Sequence, residues 1–234
     1  MRATVCLPTY NERENLEPMI EALEAVLRDG DRVLVIDDGS PDGTGEIADR
    51  LAAEHGFVDV LHRPRKEGLG RAYIDGFKHV LGTGAELVLE MDCDFSHDPK
   101  DVPRLIARAE EGADLVLGSR YVPGGGTRNW GLARRVISKG GSLYTALFLR
   151  MGVKDPTGGF KCFRRETLER LDLDAITPRG YAFQIETTYR VKQLGLSVVE
   201  IPITFADRTA GHSKMSRAVV LEAVWRVPLL RLRG

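Results

Sequence analysis

The chain has 234 residues, 43% of them hydrophobic, with 33 lysines and arginines against 34 aspartates and glutamates and a net charge of −1. That is enough chain and apolar content for a globular protein with a real core, as one large domain or one domain with an appendage. The near-neutral balance carries no electrostatic footprint for nucleic acid.

Residues 3–7 (ATVCL) predict a first strand, followed by the turn Pro8, Thr9, Tyr10, Asn11, Glu12 and a helix with Leu16, Ile20, Leu23 and Leu27 on one stripe. That turn has no glycine, which argues against a dinucleotide held through GxGxxG, and no GxxxxGK[ST] motif occurs anywhere. Residues 32–36 (RVLVI) predict a second strand ending in DDGSPDGT, and a helix through Ile47 and Leu51 follows. A turn plus a helix cap explains Asp42 to Thr44. Asp37 and Asp38 are adjacent carboxylates and repel unless a ligand or donor satisfies them. Residues 58–61 form a third strand. The cationic loop behind it (Arg63, Arg65, Lys66, Arg71) reads either as a solvated loop or as a phosphate-facing one. A helix with Ala72, Ile74, Phe77, Val80 and Leu81 comes next.

Residues 86–91 predict a fourth strand, closed by DCDFSHDP. In extended chain, Asp92 and Asp94 point to one side, at the carboxyl end of a strand, where open α/β sheets bind ligands. Hard oxygen ligands in such a place suit Mg²⁺ or Mn²⁺. The plainer alternative is that Asp94 or Ser96 caps the helix that starts near Pro99. A helix at 102–109 and a fifth strand at 113–118 complete four alternations of strand and helix. These imply an α/β fold with a mostly parallel central sheet and helices on both faces.

After Gly118 the pattern changes. A glycine loop and Trp130 lead to a helix over 132–151 with Leu132, Val136, Leu143, Leu147 and Met151 apolar and Arg134, Arg135 and Lys139 cationic early on. These cations read as a solvated face or as an anionic headgroup site. DPTGGFKCFRR is followed by GYAFQIE, which opens a helix, and by a last strand over 197–205. The loop DRTAGHSKMS brings Arg208 and Lys214, suited to a diphosphate. Residues 213–234 read as a basic amphipathic tail that either lies on an anionic membrane surface or docks on the core. Cys6, Cys93 and Cys162 form neither a CxxC pair nor a zinc spacing, so a reducing cytoplasmic setting is expected. No run approaches the roughly 18 apolar residues of a spanning helix. The first strand starts almost at the N-terminus, so no signal peptide is expected and membrane contact is expected to be peripheral.

In order, LPTYNEREN, VIDDGSPDGT, GLGRAYIDGFKHVL, MDCDFSHDPK, GSRY, DPTGGFKCFRR, GYAFQIE and DRTAGHSKM resemble the polyprenyl-phosphate (dolichyl-phosphate) mannose synthases of glycosyltransferase family 2. The resemblance runs from about residue 4 to 215. PTYNE and DDGS fix only the superfamily; the combination of the later motifs is specific to the polyprenyl-phosphate branch. It implies a GT-A fold, with a catalytic domain over 1–212 and the tail over 213–234. It implies mannose transfer from GDP-mannose to a polyprenyl or dolichyl phosphate, inverting and metal-dependent, at the cytoplasmic face of a membrane. Pro8, Tyr10, Glu12, Ile36 and Asp38 would hold base and ribose. Asp92, Cys93 and Asp94 would lie along the sugar nucleotide, with Asp94 and Ser96 on Mg²⁺ or Mn²⁺; Ser96 stands where the family often has Gln. Arg120, Arg208 and Lys214 would neutralise phosphates, and Arg120, Arg134 and Ser138 would take the lipid phosphate. Asp94, Arg120 and Lys214 are the expected catalytic set. UDP-glucose or UDP-N-acetylglucosamine as donor, and a sugar-nucleotide-binding module without turnover, are the alternatives.

Overall fold

The computed structural model of the chain describes residues 1–176, 180–207 and 227–231. Nine strands are described: β1 (Ala3–Thr9), β2 (Arg32–Asp37), β3 (Val58–His62), β4 (Leu87–Glu90), β5 (Leu115–Ser119), β6 (Gly126–Arg128), β7 (Lys161–Arg164), β8 (Val198–Pro202) and β9 (Thr204–Ala206). Between them run α1 (Leu16–Glu24), α2 (Thr44–Glu54), α3 (Leu69–Leu81), α4 (Val102–Glu110), α5 (Leu132–Phe148), α6 (Arg165–Arg170) and α7 (Gly180–Gln193). Seven strands form one sheet in the order β3-β2-β1-β4-β7-β5-β8, and β6 pairs with β9 apart from it.

The central strands are buried on both faces, which is why they read as near-continuous apolar runs. Alternate residues serve opposite layers. Val5, Leu7, Val33, Val35, Leu87 and Leu89 pack with apolar residues of α1, α2 and α4. Cys6, Leu34, Ile36 and Val88 pack with those of α3, α6 and α7. On that second face α3 approaches β2 closely: a Cβ at Gly76 would stand 2.3 Å from Ile36 Cδ1. Cys6, Cys93 and Cys162 are separate buried thiols.

Three expectations change. The segment DPTGGFKCFRR supplies β7, which enters between β4 and β5 antiparallel to both, so the sheet is parallel except there. The last predicted strand is two: β8 joins the main sheet beside β5, and after Pro202 the chain leaves it to form β9 beside β6. The third concerns α5. Its helical period is as predicted, but Leu132 (78% exposed), Val136, Ile137, Leu143 and Leu147 (68%) face outward while Ser142 and Thr145 are buried. Residues 208–226, including Arg208 and Lys214 and most of the predicted tail, lie outside the described residues. Among the described residues no helix is long and apolar enough to cross a membrane.

Candidate active site

The carboxyl ends of β1, β2, β4 and β5 open on one cavity of about 280 Å³. Of the residues singled out in the sequence, Pro8, Tyr10, Glu12, Asp38, Asp92, Cys93, Asp94, Ser96, Arg120 and Arg134 line it. Ile36 and Ser138 do not: the Ile36 side chain is in the core behind β2, and Ser138 Oγ takes a hydrogen bond from the Tyr121 hydroxyl at 2.7 Å.

At the β1 and β2 ends the loops are tied to each other. Asn11 adopts a left-handed backbone (φ 57°), its N–H donates to Ser40 Oγ at 3.1 Å, and the Glu12 N–H donates to Thr44 Oγ1 at 3.0 Å. The paired carboxylates that needed donors have them within the protein. Asp37 accepts from the Ser40 hydroxyl at 2.6 Å and its N–H at 3.1 Å. Asp38 is ion-paired with Arg63, whose guanidinium also binds Asp75 at 2.9 Å and Glu67 at 3.1 Å. Burial raises the Asp38 pKa while Arg63 pulls it down. Arg63 is thus a buried clamp on Asp38, not a phosphate-facing cation. Its neighbour Lys66 lies over the Tyr10 ring, 3.9 Å from the centroid, at the cavity wall.

At the β4 end, Phe95 is left-handed (φ 58°), an uncommon state for a bulky residue, costing about 1–3 kcal/mol. The turn brings the Ser96 N–H back to Asp94 Oδ1 at 3.0 Å. Neither Asp94 nor Ser96 caps the following helix; Asp98 does, accepting from the Lys100 N–H at 3.0 Å. That removes the plainer explanation for the acidic pair. Ser96 Oγ is buried in the cavity wall with no hydrogen-bond partner. An orphaned oxygen two residues from a carboxylate fits a hard cation, which would take its remaining oxygens from a diphosphate and water. Among the described residues no group of three or more His, Cys, Asp or Glu holds a metal by itself. His97 accepts the Asp92 N–H through Nδ1 at 3.2 Å and stacks on Phe160. Burial drives its pKa down to about 4, so the imidazole is neutral.

Arg120, at the β5 end, is held by Asp155. The pair is bidentate (2.7 and 2.6 Å), the Arg120 N–H donates to the same carboxylate at 2.9 Å, and Thr157 Oγ1 accepts from Nη2 at 2.9 Å. Both residues are buried. Asp155 was not singled out in the sequence. Its signal is an acidic residue opening a Pro-Thr-Gly-Gly turn, and the partner that gives it meaning is 35 residues away. Arg134 binds Asp207 at 2.8 Å and lies 4.1 Å over the Trp130 ring.

Beneath the cavity, Glu90 and Lys161 face each other across the β4–β7 ladder, both fully buried. Lys161 Nζ donates to the Gln184 carbonyl at 2.8 Å and to Thr187 Oγ1 at 2.9 Å, tying α7 to the sheet. Burial raises the Glu90 pKa to about 7, opposed by Lys161, and lowers that of Lys161 to about 8. Since the folded Glu90 holds its proton more tightly than the unfolded one, its contribution to stability falls as pH rises from about 4.5 to about 7. Glu90→Gln should therefore gain on the wild type by about 2 kcal/mol between pH 5 and 7.5 in denaturant titrations. Parallel pH curves for the two proteins contradict this.

A nucleotide-sized cavity at the strand ends of a mostly parallel sheet, bearing an acidic pair and arginines, defines the GT-A class of sugar-nucleotide-dependent transferases. The sequence matches the model described as "Glycosyl transferase family 2" over residues 4–172. The chain belongs to that family and is a glycosyltransferase. It is 48% identical over 234 residues to the polyprenol monophosphomannose synthase of Mycolicibacterium smegmatis, covering 100% of this chain and 88% of that one. It is 49% identical over 227 residues to the undecaprenyl-phosphate mannosyltransferase of Micrococcus luteus, covering 97% and 93%. Among solved structures, the glucosyl-3-phosphoglycerate synthase of Mycobacterium tuberculosis with Mn²⁺, UDP and glucosyl-3-phosphoglycerate superposes with a TM-score of 0.69 at 25% identity, over 99% of this chain and 79% of that one. A mannosyltransferase from Pyrobaculum calidifontis in complex with GDP-Man and Mn²⁺ superposes with a TM-score of 0.70 at 20% identity, over 100% and 64%.

Proposed function

We propose that the protein transfers mannose from GDP-mannose to a polyprenyl phosphate, with inversion, giving a β-linked polyprenyl-phosphate mannose. The observation that carries this reading is that one cavity joins the Asp94–Ser96 turn to Arg134, on a helix whose outer face is apolar. The names of the full-length relatives support the sugar and the acceptor class.

The base and ribose sit against Pro8, Tyr10, Glu12 and Asp38, with Arg63 holding the Asp38 carboxylate in place. A divalent ion held by Asp94 and Ser96, when bound, supplies positive charge to the leaving diphosphate. Arg208 and Lys214 are assigned to the same diphosphate. The acceptor phosphate, placed by Arg134, attacks the anomeric carbon; its new C–O bond forms as the bond to the diphosphate breaks, and GDP leaves with the electron pair. A phosphate monoester is already ionised near neutral pH, so no side chain is needed as base. The neutral His97, committed to the Asp92 N–H, fits that role-free state. The rate should follow the acceptor's second ionisation, near about pH 6. Leu132, Val136, Ile137, Leu143 and Leu147 on α5, with Arg135 and Lys139, form the face that meets an anionic membrane surface peripherally.

The test offers the protein a short polyprenyl phosphate in anionic vesicles, with Mg²⁺ or Mn²⁺, and in turn GDP-mannose, UDP-glucose and UDP-N-acetylglucosamine. Mannosyl lipid from GDP-mannose alone, with the protein floating with the vesicles, is expected. A product from a uridine donor overturns the donor assignment, and protein left entirely in the unbound fraction overturns the peripheral-membrane assignment.

A further inference from the structure

Trp130 has no role in the reaction as described so far, yet its position is specified in detail. It lies between β6 and α5, is 5% exposed, and lines the cavity. Its ring supports the Arg134 guanidinium at 4.1 Å and is braced from the side by Phe205 of β9 at 5.4 Å. Phe205 packs in turn on His97, which stacks on Phe160. This aromatic row runs from the turn after β4 to the first turn of α5 and fixes the indole in one orientation.

The indole N–H in that orientation is buried and has no acceptor, and neither has Arg134 Nε. Both groups are donors only; neither can accept. Leaving a buried donor unpaired costs about 1–3 kcal/mol, so a fold that braces the ring this firmly and still withholds an oxygen from it is built for an oxygen from elsewhere. The first turn of α5 adds to the demand. It has no side-chain cap on its N–H groups and no acidic residue, so its end of the helix dipole favours an anion. Donors only, a guanidinium and a helix start together call for a group with several oxygens and negative charge. The outward apolar face of α5 begins at Leu132, beside them, which places that group at the head of an apolar chain.

Building on the function proposed above, we infer that Trp130 is a contact for the acceptor's phosphate: its Nε1–H donates to one phosphate oxygen while its ring holds Arg134 against the same group. The indole thus sets where the nucleophilic oxygen stands and does not take part in proton transfer.

Trp130→Phe keeps a ring under Arg134 and removes only the donor; Trp130→Ala removes both. The measurements are KM for a short polyprenyl phosphate, KM for the sugar nucleotide, the thermal midpoint, and calorimetric titration with the lipid phosphate alone. Trp130→Phe should raise the acceptor KM and weaken the titrated binding about tenfold, the worth of a hydrogen bond to a charged group. The donor KM and the midpoint should stay at wild-type values. Trp130→Ala should weaken binding further. Unchanged acceptor binding in Trp130→Phe, or an equal rise in both KM values, overturns the inference. Failure of the parent reading looks different: the wild type itself neither transfers to nor binds the lipid phosphate. In that case titration with inorganic phosphate decides whether Trp130 contacts a phosphate, with the same tenfold loss expected and equal binding contradicting it.

Discussion

Asp94→Ala should reduce hexose transfer by about a thousandfold with little change in stability. The carboxylate sits where β4 ends and the chain turns through the left-handed Phe95. One of its oxygens is committed to the Ser96 N–H at 3.0 Å, which fixes its direction. Its part in the fold is small, because the helix that follows is capped by Asp98. Its part in the chemistry is large in this account, since charge builds on the leaving diphosphate and the cation that meets it is held here. Asp94→Asn keeps the shape and the bond to Ser96 but loses the charge, and it should be nearly as damaging. Steady-state rates with metal titration measure this. A variant within tenfold of the wild type, or one restored by excess metal, would remove Asp94 from the assigned role.

Asp155→Asn should be the most destabilising change at the site, by about 3–5 kcal/mol, and should abolish activity as well. Arg120 is 6% exposed and Asp155 not at all, and the pair is joined by three hydrogen bonds from Arg120. Removing the carboxylate charge leaves a guanidinium buried without its counter-ion, which costs far more than the net worth of the pair. The same logic fixes the outcome of a double-mutant cycle. Arg120→Met with Asp155→Leu should be more stable than Asp155→Asn alone, and just as inactive, because activity needs the arginine at the cavity wall. Denaturant titrations of the three proteins check it. Additive losses would mean that the two side chains do not act as a unit.

The parts legible in the sequence were those set by local order. β1, β2 and β4 announce themselves as short apolar runs, and each ends where turn residues and carboxylates begin. That sufficed to place Asp92, Asp94 and Asp38 at strand ends and to bring them into one cavity with Tyr10 and Glu12. What escaped depends on partners distant in the chain. Arg63 reads as one more cation in a charged loop until Asp38 and Asp75 are seen to enclose it. β7 was hidden because its Lys161, polar in sequence, is buried opposite Glu90 and satisfied by α7. The stripe on α5 has helical spacing whichever way it faces; period alone does not say whether an apolar face meets a core or an outside surface.

The most direct test of the whole account is the structure of the lipid product. Purified protein, GDP-mannose, a divalent cation and a short polyprenyl phosphate should give one new species, whose mass adds one hexose to the lipid phosphate. The one-bond carbon–hydrogen coupling at its anomeric centre should report a β-linked mannosyl phosphate. An α-linked product would contradict single displacement by the acceptor phosphate. Free mannose, or mannose on any group other than that phosphate, would contradict the assignment of the acceptor itself.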